Sequence, residues 1–247
     1  MKPSNWIDHM APADGPPPTT LRSFFYWSLR GSFKVLTLSG VTSILTGVTE
    51  VSAVLMLGML VDAALASSFQ SPLSDQVWLF GAGIVFFLVL RPIFFGIFSF
   101  MQTNVVTPNV SNLVLSRLHR WTLGQSVQFF DNDFAGRIAQ KEMQTARAVT
   151  DVVVEILHTV LFALASVIGA ALMLTSVDVS LTVGLCLWLL TYLALIKYFM
   201  PLIRKRSGVR ASARAMVTGQ IVDTVTNIKT VKLFAHDEHE DQAALEA

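Results

Sequence analysis

Apolar positions in this chain gather into four long blocks separated by wet, punctuated stretches. A helix rises about 1.5 Å per residue, so about 20 mostly apolar residues cross a hydrocarbon core about 30 Å thick. The blocks at roughly 35–61, 77–100, 152–174 and 179–200 all reach that length. None alternates with period two, which excludes barrel strands. The pattern predicts an all-α membrane protein with four long transmembrane helices extended into the cytoplasm.

The connections are uneven. Residues 67–76 and 175–178 are short, whereas 101–151 is too long for a structureless loop. Its pattern is helical: Leu113, Leu115, Leu118, Trp121 and Val127 recur at helical spacing, with Arg117 and Arg120 assigned to the wet side. Asp131, Asn132 and Asp133 favour a turn or an N-cap, and Gly136 relaxes the backbone. The second and third spans are therefore expected to continue inward and meet at a tight turn near 130–136, with a short helix starting at Asp133. After the fourth span, Val217, Ile221, Val225, Ile228, Val231 and Phe234 predict a second long amphipathic arm over 201–247. Before the first span, LRSFFYWSLRGSF at 21–33 interleaves aromatics with arginine, as a helix lying in the inner interface does. The alternative is the frayed start of span one. The Pro-rich lead-in at 1–20 is expected to be disordered and carries no signal-peptide core.

Charge changes the picture by its placement. The chain is 53% hydrophobic and 14% charged, against about 25% charged in soluble domains. Seventeen of its eighteen Lys and Arg residues fall in 1–34, 101–151 and the segment from 197 onward, and both short loops have none. The positive-inside bias puts both termini in the cytoplasm, and a bacterial inner membrane is the expected location. Nothing in this distribution invites nucleic acid.

The eighteenth cation, Arg91, lies inside span two, and Glu50 lies inside span one. Counted from the outer ends, Glu50 sits about 16 residues deep and Arg91 about 14, or roughly 24 and 21 Å. Intramembrane charges need partners, so a Glu50–Arg91 pair is expected, either as a lock between helices or as part of a substrate path. Pro92 predicts a kink there. His158 and Glu155 lie one turn apart and read as a snorkelling pair near the interface. Asp62 and Asp178 read as interfacial, and HDEHED at 236–241 as a solvated acidic face rather than a metal site. Cys186 reads as a packing residue. Gly40, Gly47, Gly58, Gly81, Gly83, Gly96, Gly169 and Gly184 are expected at packing seams. No Ser-His-Asp set, Cys-His pair or H-E-x-x-H motif supports an intramembrane hydrolase.

Two motifs resemble one family. FFDNDFAGRIAQKEMQTARAV at 129–149 is similar to the first intracellular loop of ABC exporters. VDTVTNIKTVKLFAHDEHE resembles their second intracellular region. Both lie in register with four correctly oriented spans, so the chain looks like the first four of six spans of a type IV half-transporter. The resemblance implies two coupling helices that dock on a nucleotide-binding domain. The first would comprise Asp133, Phe134, Ala135, Gly136, Arg137, Ile138, Ala139 and Gln140. The second would comprise Ser207, Gly208, Val209, Arg210, Ala211, Ser212, Ala213 and Arg214.

It further implies a second half-transporter, as homodimer or heterodimer, and alternating access driven by ATP. Here the chain departs from the pattern. It has no fifth or sixth span and no G-x-x-x-x-G-K-[ST] phosphate loop, so ATP and Mg are expected on a nucleotide-binding domain outside it. The last helix stops mid-pattern at LEA, which favours a truncated piece of a longer protein. A four-span secondary transporter or scaffold would show inverted repeats or short inner loops, and neither is seen. A sensor would need a sustained heptad seam, which 217–234 is too short to supply.

Overall fold

The structure, a computed structural model, describes residues 6–66, 77–131, 135–226 and 228–234. Among them every regular element is helical and none is a strand. Four stretches are long and apolar enough to cross a membrane: Phe33–Leu65, Val77–Leu123, Gly136–Val177 and Val179–Thr226. The last three have 47, 42 and 48 residues, about twice what a bilayer needs, so each projects well beyond it. The chain divides after Ser176 into two compact units.

In the first unit, α1 (Leu21–Leu29) is a helix of its own, separated from α2 (Phe33–Ala66) by a sharp corner. Gly31 makes that corner at φ +91°, a left-handed value that side-chain-bearing residues rarely adopt. Ser32 then starts α2: its carbonyl accepts from the Val35 and Leu36 N–H groups, and its hydroxyl donates to Leu29 O at 2.7 Å.

The lead-in does not behave as its composition suggests. Residues 6–20, expected to be disordered, lie against α5 (Thr107–Leu123). Ile7 is buried, the Ser116 hydroxyl donates to His9 O, and Trp27 Nε1 donates to Gly15 O at 3.3 Å. Proline removes N–H donors but keeps carbonyl acceptors, and the contacts from α5 fall on carbonyls. The remainder of the expectation, residues 1–5, falls outside the described residues.

The second long helix is built from α3 (Val77–Val85), α4 (Arg91–Phe100) and α5, joined by π-turns at Phe86–Leu90 and Met101–Val106. Each π-turn ends just ahead of a proline. Arg91 N–H bonds Phe86 O before Pro92, and Thr107 N–H bonds Gln102 O before Pro108, both five residues back. An α-turn at either proline would lose a donor and press the ring against a carbonyl. Widening the turn relieves the clash while the residue before each proline supplies the bond, so the kink expected at Pro92 takes this form.

At the far end, α6 (Val127–Asp131) leads to α7 (Ala135–Val154). A third π-turn at Glu155–Val160, with no proline, continues into α8 (Leu161–Val177). Antiparallel α5 and α7 carry the main core, where Val106, Val110, Leu113 and Val114 meet Ala146, Val149 and Val153.

Four of the eight span glycines sit at close approaches. A Cβ on Gly47 would lie 2.8 Å from Phe162 O, and one on Gly40 would lie 3.0 Å from Leu161. Gly169 is equally tight against Val51, and Gly83 against Leu60. Gly58, Gly81, Gly96 and Gly184 face open space instead.

The second unit is dominated by α9 (Val179–Thr226), which continues through Pro201; α10 (Ile228–Phe234) takes up after it. Asp178 caps α9, its carboxylate accepting from the Ser180 hydroxyl and N–H, both at 2.7 Å. Those bonds, the hydroxyl's first, hold the Asp178 carboxyl below the ordinary carboxylate range.

Candidate functional site

Three places gather the chemistry. The first is inside the spans, where Pro92 and its π-turn set Arg91 opposite Glu50 on α2. Arg91 Nη2 donates to both Glu50 oxygens, at 3.1 and 3.2 Å, and the guanidinium carbon lies 5.7 Å from the Phe95 ring centre. The structure therefore brings the expected pair together. Both side chains remain more than a third exposed, and Arg91 Nε has no partner. A charged pair left open on one side can hold two helices in register and still meet a polar group from outside.

The second place is where the C-terminal end of α1 meets the later turns of α5. Arg117 was read as wet-side, but it is 3% exposed. Its Nη1 donates to Trp27 O and its Nη2 to Arg30 O, each at 2.7 Å, while Nε donates to Ala11 O at 3.3 Å. The last carbonyls of a helix lack intrahelical donors and carry partial negative charge, which suits a guanidinium. The sequence did hold a signal: Arg117 follows Val110, Leu113 and Val114 at helical spacing, on the apolar face. Arg30 pairs with Asp14 beside it.

His158 was also misread, and Glu155 does not pair with it. Glu155 is exposed, whereas His158 is 4% exposed, with Nε2 3.2 Å from the Ser39 hydroxyl and the Phe98 ring centre 4.8 Å away. The π-turn carries it inward between helices instead of outward to the interface. Its Nδ1 has no hydrogen-bond partner among the described residues.

The third place is the tip of the hairpin formed by α5 and α7. Of the expected short helix at 133–140, Asp133 and Phe134 lie outside the described residues, and Ala135 to Gln140 lie in the first turns of α7. The short helix α6 precedes it at Val127–Asp131. Gly124 ends α5, and the Phe129 N–H bonds Ser126 O to begin α6. Trp121 and Phe129 meet edge to face at 6.4 Å, as do Phe129 and Phe130 at 5.3 Å. Leu123, Val127, Phe129 and Phe130 are all exposed there, forming an apolar tip on an otherwise wet hairpin. His119 Nδ1 lies 3.2 Å from Glu142 and ties α5 to α7 below it.

Ser207 to Arg214 likewise form no helix of their own. They are an exposed middle section of α9, where Gly208 keeps a helical backbone and nothing interrupts the turn-to-turn bonding. Among the described residues no group of three or more His, Cys, Asp or Glu could hold a metal.

Comparison with known proteins gives a consistent result. The family model for the ABC transporter transmembrane region matches residues 36–247. The chain is similar to a Haemophilus influenzae protein described as an uncharacterized ABC transporter ATP-binding protein, with 28% identity over 231 residues. That alignment covers 90% of this chain and 37% of the relative, so the chain spans well under half of the relative's length.

Proposed function

The chain belongs to the ABC transporter transmembrane-region family, and from that premise we propose that it forms the first four spans of an ATP-driven exporter. Its cytoplasmic helices carry motion from a nucleotide-binding domain to the spans. The observation that carries this reading is the apolar tip at α6, set at the end of two helices far longer than a bilayer requires. A solvated hairpin gains nothing from exposed Phe129 and Phe130, whereas a docking surface does.

In this reading ATP and Mg bind on the nucleotide-binding domain, for the chain has no phosphate loop of its own. The relative described as ATP-binding exceeds this chain in length, which leaves room for such a domain. Coupling contact one is assigned to Val127–Asp131 instead of Asp133–Gln140. Coupling contact two falls on the cytoplasmic part of α9, where Ser207–Arg214 remain the motif-based assignment. A second half-transporter completes the cavity, in a bacterial inner membrane with both termini cytoplasmic. ATP drives alternating access only if it binds one arrangement better than the other.

The test uses the assembled transporter with Cys186→Ser and Phe130→Cys, and a cysteine on the facing surface of the nucleotide-binding domain. Cross-linking at 130 that changes with ATP and vanadate is expected. Efficient cross-linking from 136–140 with none from 127–131 would move the contact, and none from either would remove the coupling reading.

A further inference from the structure

An apolar hollow of about 500 Å³ lies under the corner between α1 and α2, lined by Phe25, Leu29, Val41, Ile44, Leu157 and Leu161 among others. Gly40 lets Leu161 come close and shapes its floor. The hydroxyl on its wall, that of Thr37, is already committed to Lys34 O at 2.9 Å. The hollow therefore recognises shape and apolarity and offers no free hydrogen-bond donor.

Across α1 lies a second hollow of about 540 Å³, and Phe25 lines both. The second hollow is apolar along Leu21, Phe24, Phe25, Val149 and Val152 but carries Lys141, Gln144 and Thr145 on its α7 wall. Two grooves sharing the Phe25 wall, one of them polar along one side, match a ligand with two chains and a polar head. Two cations stand at their edge. Arg22 precedes Phe25 and Leu29 by three and seven residues on α1, so it lies on the same helical face. Lys34 precedes Thr37 and Val41 by the same intervals on α2. Both are exposed, and neither forms an ion pair among the described residues. The positive-inside pattern puts this corner at the cytoplasmic leaflet.

We propose that these grooves bind an anionic phospholipid of the cytoplasmic leaflet, with acyl chains on either side of α1 and the phosphate between Arg22 and Lys34. An apolar helix of another protein would fill the grooves but leave both cations without an anion, so the charge favours the lipid. Juxtamembrane cations are the ordinary means of selecting anionic lipid. The inference needs only the membrane setting and not the ATP-driven reading.

The experiment places the assembled protein in phosphatidylcholine nanodiscs containing phosphatidylglycerol. One of the two lipids carries an acyl-chain diazirine, and labelled peptides are mapped by mass spectrometry. Phosphatidylglycerol is expected to label peptides bearing Phe25, Ile44 or Leu157 about tenfold more than phosphatidylcholine, from two surface cations. Arg22→Gln with Lys34→Gln, both at exposed positions, should erase that preference and leave residual labelling by either lipid. Ile44→Trp, which fills the groove, should reduce both. Equal labelling by the two lipids, unchanged in the Gln pair, would reduce the site to ordinary annular lipid and overturn the proposal. No labelling of these peptides would also overturn it, and would mean that a protein segment covers the corner.

Discussion

A guanidinium can be buried on carbonyl dipoles when enough of them converge, and three converge on Arg117. Lysine is a point cation and cannot reproduce the fork. Arg117→Lys should therefore loosen the lead-in and α1, at a cost of about 1.5–3 kcal/mol for the charged hydrogen bonds lost. Hydrogen exchange would show it as faster amides over 8–30 with the span amides unchanged. Glu50 and Arg91 are coupled more weakly because both side chains are partly exposed. Folded yields of Glu50→Gln, Arg91→Met and the double variant should be non-additive, with a coupling of about 1 kcal/mol. Strict additivity would dissolve the pair. This pair was legible in the sequence because depth in a span is simple counting. Arg117 was misread because its charge was weighed above its spacing, and His158 because a π-turn shifts the face on which later residues fall.

Elements are where glycine and proline decide. Gly47 packs against a backbone carbonyl that cannot step aside, so Gly47→Ala should force α2 and α8 apart, at about 1–3 kcal/mol. Gly58→Ala meets nothing and should leave thermal stability in detergent unchanged. The Asp178 cap gives a pH signature. Its lowered carboxyl contributes stability above the ordinary carboxylate range and loses it as pH falls through that lowered value. Amide exchange over 179–182 should accelerate on acidification in the wild type and be fast at every pH in Asp178→Ala. Helix existence was readable throughout, since long apolar blocks have few alternatives in lipid. Boundaries were less so: a break at Gly124 and Ser126, one turn before the aromatic pair, was not expected, and the centre of the turn expected at 130–136 lies outside the described residues. Two π-turns were signalled by prolines and the third, at Glu155–Val160, by nothing local.

For the whole molecule, the family and the four-span plan were visible in two motifs and a charge asymmetry. The surface proposed for docking was not, because exposed Phe129 and Phe130 look like packing residues until the hairpin is built. Orientation follows from the proposed topology and can be measured. In a Cys186→Ser background, Asp178→Cys should react with an impermeant maleimide applied to intact cells, and Gln125→Cys only after lysis. The reverse pattern would invert the protein and move both coupling contacts to the wrong side.

The π-turns have one more consequence, for the kinds of sequence change this chain can tolerate. A π-turn is an α-helix carrying one surplus residue, so each marks a place where the chain could lose a residue and stay helical. A deletion within 86–90 would heal to a plain α turn and leave every face beyond it where it is. The same deletion in the regular stretch of α5 would swing everything beyond it by about 100°. That loss would be felt most at Val127–Asp131, where a rotated tip would present another face.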